Sequence, residues 1–296
     1  MTDKYNNIKI AVIGGDLRML HCGRYLSEFG FETALYGFDN CCDNIGGCTK
    51  CASFEDAVKN SNIIILPLPV SCDGITLNMP LSETAVTLPS LFSLIDKDSV
   101  LLAGNVSKEI QSLSQKFGLT IVDYFDREEL KIANAVLTAE SAVEIAMTET
   151  DRSITSEPVL VVGYGRIGKA LCRLLKSFGC NVYASARKCS DKAWIRAFGY
   201  SDIDTSDIGK IVSQCKIIFN TVPFMVLDEE VLSLVSKDCL IIDLASKPGG
   251  VDFEKAKGEN LRVIWALALP GKKLKISAGK AISDTIINIL EEGDII

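Results

Sequence analysis

Histidine is nearly absent from this chain: among 296 residues it carries only His21. That excludes a multi-histidine metal centre and leaves any imidazole acid–base chemistry to one side chain. Long apolar runs are missing as well. The longest, "IIILPLPV", is interrupted by Pro67 and Pro69 and falls well short of the ~20 residues that a membrane helix needs. The amino-terminal stretch "MTDKYNNIKIAVIGG" has neither the basic start nor the cleavage region of a secretory signal. The expectation is a cytoplasmic protein with no membrane partner. Excess positive charge is lacking too: the net charge of −7 and a pI near 5 argue against a nucleic-acid surface. A small anion is not excluded, because a few cations in a cleft decide that locally.

A disulfide framework is the last absence. The chain holds 11 cysteines at irregular spacing, and an odd count fits a reducing compartment. Cys41, Cys42, Cys48 and Cys51 cluster in "CCDNIGGCTKC". Cys48 and Cys51 have metal-ligand spacing, and Cys41 or Cys42 is able to complete a site. No second Cys-x-x-Cys or Cys/His pair follows at finger distance. The reading is a loop of free thiols, with no metal.

What the chain does have is apolar material, 48% of its residues, and a length that suits two domains. Short β-rich runs alternate with amphipathic helices, twice over. In the first half "IKIAVIGG", "ETALYGF", "NIIILPL", "SVLLAGNV" and "LTIVDYF" read as strands, with a helix from Leu17 to Phe29. This predicts a doubly wound parallel sheet of about five strands. The stretch "REELKIANAVLTAESAVEIAMTET" predicts a long helix. The pattern then restarts with "PVLVVG", "NVYAS", "KIIFNTV", "CLIIDLA" and "LRVIWAL" as strands. Ile167, Ala170, Leu171, Leu174, Leu175 and Phe178 recur at helical spacing, and Gly179 is placed to end that helix. Ala278, Ala281, Ile282, Ile286, Ile289 and Leu290 form a last helical stripe. The expected fold class is α/β, with two Rossmann-like doubly wound domains. The expected divisions are residues 1–127, a linking helix 128–150, and residues 151–296, with the carboxy-terminal helix free to pack back on the first domain.

One turn carries chemistry. Gly163-Tyr164-Gly165-Arg166-Ile167-Gly168 follows a strand and opens a helix, the context in which a G-x-G-x-x-G spacing reads as a dinucleotide site. Gly163 permits the tight turn, Gly165 admits the pyrophosphate, and Gly168 lets helix and strand approach. In an NAD site a carboxylate is expected after the next strand, accepting from the ribose 2′-hydroxyl. Here no acid lies between Asn181 and Ser190; the segment "YASARK" offers Ser185, Arg187 and Lys188 instead. Cations in this place favour NADP; the alternative is a solvated approach to a helix.

The first half has a related turn, Gly14-Gly15-Asp16-Leu17-Arg18, but Asp16 and Met19 replace the second and third glycines. A carboxylate there opposes a pyrophosphate. Asp16 and Arg18 stand at a strand's carboxyl end, which suits a substrate-facing role; an ordinary helix cap at Asp16 is the alternative.

Taken in order, "IAVIGGDLR", "NAVLTAE", "GYGRIG", "SAR", "NTVP", "DLASKPGG" and "LPGKKLKISAG" resemble the dipicolinate synthase A-subunit family over essentially the whole chain. The second half is also similar to the cofactor domain of D-2-hydroxyacid dehydrogenases. The resemblance implies NADP-linked dehydrogenation of a dihydrodipicolinate-type ring to pyridine-2,6-dicarboxylate, in the mother cell of a sporulating bacterium. It further implies a partner, the flavoprotein-like B subunit of dipicolinate synthase, and self-association is left open. On the matching segments it implies cofactor contacts from Thr221, Val222, Pro223, Asp243 and Ala245, and substrate contacts from Asn134, Thr138, Glu140 and Lys275. Two departures stand out: Ala268 occupies a glycine position of the family's "PGLPG", and Lys247 stands where arginine is common.

A dicarboxylate ring calls for cations and donors to hold it. Arg18, Lys247 and Lys275 are the candidate cations, and Ser246 a candidate donor to a carboxylate or to the nicotinamide amide. Lys247, Ser246 and His21 are the candidate catalytic groups. D-2-hydroxyacid dehydrogenases use a histidine late in the second half, whereas residues 261–283 contain none, which weakens a hydroxyacid substrate. The alternatives are a reductase of another small 2-oxo or dicarboxylic acid, and a non-catalytic NADP-binding subunit of a complex.

Overall fold

A computed structural model describes residues 8–41 and 43–296. They form two compact units: the first runs to Ala133 and takes in Leu274–Ile296, and the second is Asn134–Lys273.

The first unit contains β1 (Lys9–Ile13), α1 (Leu17–Phe29), β2 (Glu32–Tyr36), β3 (Thr49–Lys50), α2 (Phe54–Lys59), β4 (Ile63–Ile65), α3 (Leu88–Phe92), β5 (Val100–Ala103), α4 (Lys108–Lys116) and β6 (Ile121–Asp123). All its strands run parallel, in the order β3-β2-β1-β4-β5-β6. The reason lies in the strand residues. Along β1, Ile10 and Val12 enter one core cluster while Ala11 and Ile13 enter the other. Successive side chains point to opposite faces, and both faces need a helical cover.

The helix α5 (Glu128–Glu149) crosses the division between the units without a break. The second unit continues with β7 (Pro158–Val162), α6 (Arg166–Ser177), β8 (Asn181–Ala186), α7 (Cys189–Ala197), β9 (Ser201–Asp204), β10 (Ile217–Asn220), α8 (Glu229–Ser233), β11 (Leu240–Asp243), α9 (Phe253–Gly258), β12 (Arg262–Trp265) and α10 (Leu269–Lys273). Its sheet, also parallel, has the order β12-β11-β10-β7-β8-β9. Val159 and Val161 feed one face and Leu160 and Val162 the other. The strand order reverses between β1 and β4 in one unit and between β7 and β10 in the other. In open parallel sheets that is where ligands bind.

The last helix, α11 (Lys275–Glu292), belongs to the first unit. Ile282, Ile286 and Leu290 lie in the same cluster as Leu20 and Leu26 of α1. The approach of the two helices requires a glycine: a Cβ at Gly279 would lie 2.6 Å from the Arg18 carbonyl oxygen and from the His21 Cβ. At the surface the Arg127 guanidinium holds the Glu292 carboxylate with bonds of 2.6 and 2.8 Å.

Several expectations are corrected. Each sheet has six strands rather than about five, because β3 and β9 carry little apolar signal: β3 is Thr-Lys and β9 is Ser-Asp-Ile-Asp. Residues 274–296 do pack back on the first unit, the option left open above, since their apolar stripe completes the α1 cluster. Phe178 leaves the apolar face of α6. It is the helix cap and is 41% exposed. Gly179 follows it at φ 78°, with Gly179 N–H bonding the Lys176 carbonyl and Cys180 N–H the Leu175 carbonyl, a paired end motif that favours glycine. Cys42 of the cysteine loop lies outside the described residues. Among those described, no group of three His, Cys, Asp or Glu side chains is arranged to hold a metal, and no helix is long and apolar enough to cross a membrane.

Ala268 has φ 57°. A Cβ in this left-handed region costs about 1–2 kcal/mol, offset in part by the chain entropy that a glycine loses on folding. Ala268→Gly is therefore expected to stabilise the second unit by about 0.5–1 kcal/mol, read as a rise of the order of 1–4 °C in thermal midpoint. A lower midpoint would mean that contacts of the Ala268 methyl outweigh the strain.

Candidate functional site

In the second unit the glycine turn leaves β7 and enters α6. Gly163 has φ 95°, and a Cβ there would stand 2.6 Å from Thr221 Oγ1 and 2.8 Å from Val222 Cγ2. A Cβ on Gly168 would lie 2.1 Å from the Gly163 carbonyl oxygen, so helix and turn touch through glycine. Gly165 is different. A Cβ there meets nothing within 4 Å, and Gly165 caps α6 without a side-chain hydrogen bond. The first N–H groups of that helix lack intrahelical acceptors, the arrangement at which phosphates are commonly bound. Arg166 is exposed, Ile167 packs against the core, and Tyr164 is buried under the Lys169 ammonium at 5.6 Å. Burial pushes the Tyr164 hydroxyl up to about 12.

Ser185 proves to be internal. It is fully buried, accepts the Gly163 N–H at 3.2 Å and shares a hydrogen bond with the Thr205 hydroxyl at 3.3 Å. Its hydroxyl braces the glycine turn instead of being presented outward to a phosphate, which corrects the expectation for this residue. Arg187 and Lys188 are exposed just beyond the end of β8. The acids of the neighbouring strand β9 are engaged: Asp204 with Lys192 at 2.9 Å and Asp202 with Arg196 at 2.7 Å. The Lys192 ammonium, with the Ser206 donors, holds the Asp204 carboxyl at about 2.

A buried polar network fixes the ends of β10 and β11. Asn220 and Asp243 are both fully buried. Asp243 accepts from Asn220 Nδ2 at 2.8 Å and from the N–H groups of Ala245 and Gly250, each at 3.0 Å. Asn220 also clasps Val222 through its N–H and its carbonyl, and Thr221 bonds back to the Val162 carbonyl at 2.9 Å. Asp243, expected at the cofactor, therefore lies beneath the surface with its oxygens occupied. Ala245 is buried and its carbonyl accepts from the Trp265 indole at 3.0 Å. Pro223 is half-buried, while Ser246 and Lys247 are exposed. Sequence reasoning missed Asn220, although an amide closing the apolar strand "KIIFN" was a usable signal.

On α5, the Thr138 hydroxyl is spent on the Asn134 carbonyl at 2.7 Å. Asn134 is half-buried and Thr138 buried; Glu140 is exposed on another face of the helix.

In the first unit Asp16 caps α1, accepting the Arg18 N–H at 3.0 Å, and its carboxylate also takes the Arg18 guanidinium: Nε at 2.9 Å and Nη2 at 2.8 Å. Nη2 donates further to the Leu68 carbonyl at 2.7 Å. The glycine crevice beside them is closed by the chain itself. Gly15 N–H bonds the Asn78 carbonyl at 2.9 Å, and the Met79 side chain would lie 2.5 Å from a Cβ on either Gly14 or Gly37. His21 is 4% exposed; its Nε2 has no hydrogen-bond partner and stands 3.7 Å from Asp43 Oδ2. Lys275 Nζ lies 3.2 Å from the same carboxylate oxygen. The structure thus joins His21 and Lys275 through Asp43, a residue hidden from sequence reasoning among the loop cysteines. Burial, reinforced by the nearby Arg24 cation, lowers the His21 pKa.

Comparison with known proteins agrees with this division. Residues 9–125 match the family described as the N-terminal domain of the dipicolinate synthase A subunit, and residues 145–247 match "D-isomer specific 2-hydroxyacid dehydrogenase, NAD binding domain". The A subunit of dipicolinate synthase from Bacillus subtilis (strain 168) is 30% identical over 286 residues, 96% of each chain. The crystal structure of the dipicolinate synthase A subunit from Bacillus halodurans superposes with a TM-score of 0.87 at 28% identity, covering 96% of this chain and 98% of that one. The crystal structure of its counterpart from Bacillus subtilis gives 0.86 at 30% identity, covering 97% of each. The second unit is a nicotinamide-dinucleotide domain of the dehydrogenase type.

The two units make opposite predictions for dinucleotide binding. Titration is expected to find a single dinucleotide per chain. Gly165→Val is expected to weaken it by more than about tenfold while folding stability stays within about 1 kcal/mol, since the new side chain fills only the open space. Gly168→Ala, forced against backbone, is expected to cost about 1–3 kcal/mol of stability. Undiminished dinucleotide binding by Gly165→Val would overturn the assignment of that space.

Proposed function

The chain belongs to the dipicolinate synthase A-subunit family, and from that premise we propose that it is an NADP-dependent oxidoreductase forming pyridine-2,6-dicarboxylate from a dihydrodipicolinate-type precursor. The observation that carries the cofactor choice is the pair of exposed cations Arg187 and Lys188 beyond β8, beside acids that already have cationic partners. A 2′-phosphate meets two positive groups there. The open space over Gly165 and the uncapped end of α6 suit the pyrophosphate.

When bound, the dinucleotide supplies the hydride acceptor. The chain's own residues have the remaining tasks. Arg18, held rigid by Asp16, receives a ring carboxylate. Lys247 and Ser246, exposed after β11, offer a charge and a hydroxyl to the substrate or to the nicotinamide amide, and Lys275, Asn134 and Glu140 are further candidates for substrate contact. His21, whose pKa is lowered by burial, is the candidate base for the proton that leaves as the ring becomes aromatic. By its family the chain acts with the flavoprotein-like B subunit of the synthase, in the cytoplasm of a sporulating mother cell.

Two measurements test this reading. Purified chain with NADP and freshly generated precursor, with and without the B subunit, is expected to produce NADPH and pyridine-2,6-dicarboxylate in equal amounts; failure to reduce NADP under either condition would count against catalysis and leave a protein that only binds the cofactor. Arg187→Ala is expected to weaken NADP by about 1.5–3 kcal/mol, roughly ten- to hundredfold, and to leave NAD nearly unchanged. Equal weakening of both cofactors would reduce Arg187 to a general anchor.

A further inference from the structure

We infer that Asp16 is a positioning residue, which clamps the Arg18 guanidinium so that its Nη1 edge alone is presented to a carboxylate of a small acid. The inference rests on the dicarboxylate reading above and adds how the first unit selects its ligand. Arginine is a planar fork of N–H donors. Here Nε donates to Asp16 Oδ1 at 2.9 Å, and Nη2 divides its hydrogens between Asp16 Oδ2 at 2.8 Å and the Leu68 carbonyl at 2.7 Å. Both hydrogens of Nη1 are left: among the described residues Nη1 has no acceptor, and it is not among the buried atoms that lack one. The Arg18 side chain is 15% exposed. Most of the side chain is packed, and the fork is held on two sides by partners separated from each other by some fifty positions in the chain.

Size selection comes from the same turn. In the second unit the equivalent glycine crevice is open over Gly165. In the first, Met79 fills the space over Gly14 and Gly37, and Asn78 takes the Gly15 N–H. A phosphate finds no free backbone donor at Gly15, and the Asp16 carboxylate beside it opposes one. What remains is a rigid donor edge at the carboxyl end of a parallel sheet, its charge already paired with Asp16. Such an edge binds through directed hydrogen bonds more than through long-range attraction. It suits a planar carboxylate on a small molecule.

The decisive variant is Asp16→Asn. Asparagine caps helices as well as aspartate does, so capping survives, but its single acceptor oxygen no longer holds the guanidinium at two points. Arg18→Lys is the companion variant: it keeps the charge and loses the fork. Both are titrated with pyridine-2,6-dicarboxylate and with NADP, alongside thermal midpoints and steady-state kinetics. Each variant is expected to weaken pyridine-2,6-dicarboxylate and raise the precursor KM by about tenfold, with kcat and NADP affinity within about twofold and the midpoint of Asp16→Asn near that of the unsubstituted chain. Dicarboxylate binding that is intact in Asp16→Asn would make Asp16 a helix cap and nothing more, and binding intact in Arg18→Lys would show that the clamped guanidinium is not needed. Either result overturns the inference while leaving the dehydrogenase reading standing. If the unsubstituted chain binds the dicarboxylate and both variants lose it, yet NADP is never reduced, the positioning role holds and the catalytic reading falls. If the unsubstituted chain binds no dicarboxylate, both fall.

Discussion

The chemistry of the second unit depends on one carboxylate buried without a cation. Asp243 is removed from water at the end of β11 and is met by three donors: the Asn220 amide and the N–H groups of Ala245 and Gly250. A buried carboxylate is costly unless its oxygens are satisfied, so the segments that carry those donors are held in place by the penalty of leaving it bare. Those segments are the ones after β10 and β11, which include Thr221, Val222, Ser246 and Lys247. Gly250 lies so close to this network that a Cβ would stand 2.3 Å from Asn220 Nδ2. The same constraint leads to the glycine turn, because Thr221, anchored to the Val162 carbonyl, forms the wall against which Gly163 must remain a glycine.

The two units share a strand order and differ in what their crevices accept. Each has a glycine-rich turn after its first strand and a helix starting beyond it. In the second unit the helix is uncapped and the turn is open. In the first, Asp16 caps the helix and binds the Arg18 guanidinium, and Met79 lies over Gly14 and Gly37. Topology puts a ligand at the carboxyl ends of the strands in both cases; the side chains decide which ligand, and a duplicated architecture is no guarantee of a duplicated function.

Strain enters at Ala268. The backbone at residue 268 is left-handed, a conformation that glycine takes without penalty, and alanine holds it here against the steric cost. The alanine was visible from the sequence, but its consequence was not, since a side chain carries no record of the dihedral angle imposed on it by the segments to either side.

Periodicity and punctuation were sufficient for much of the fold. Alternating apolar runs fixed ten of the strands, because a parallel sheet covered on both faces demands them, and the first helix was placed at about Leu17 to Phe29. The G-x-G-x-x-G turn in its strand–helix context located the dinucleotide domain, and the absence of an acid before Ser190 pointed to the cations there. Tertiary structure decided the rest. The strands β3 and β9 form because neighbours offer hydrogen bonds, not because their residues prefer a sheet. The helix at 275–292 joins the first unit because Gly279 permits contact with α1, a relation between residues more than 250 positions apart. Ser185 turned inward, Asp243 went beneath the surface, and Arg18 was fixed by a carbonyl at residue 68. In each case the deciding partner lies far along the chain, and hydrogen-bond direction and burial exist only once the chain has closed on itself.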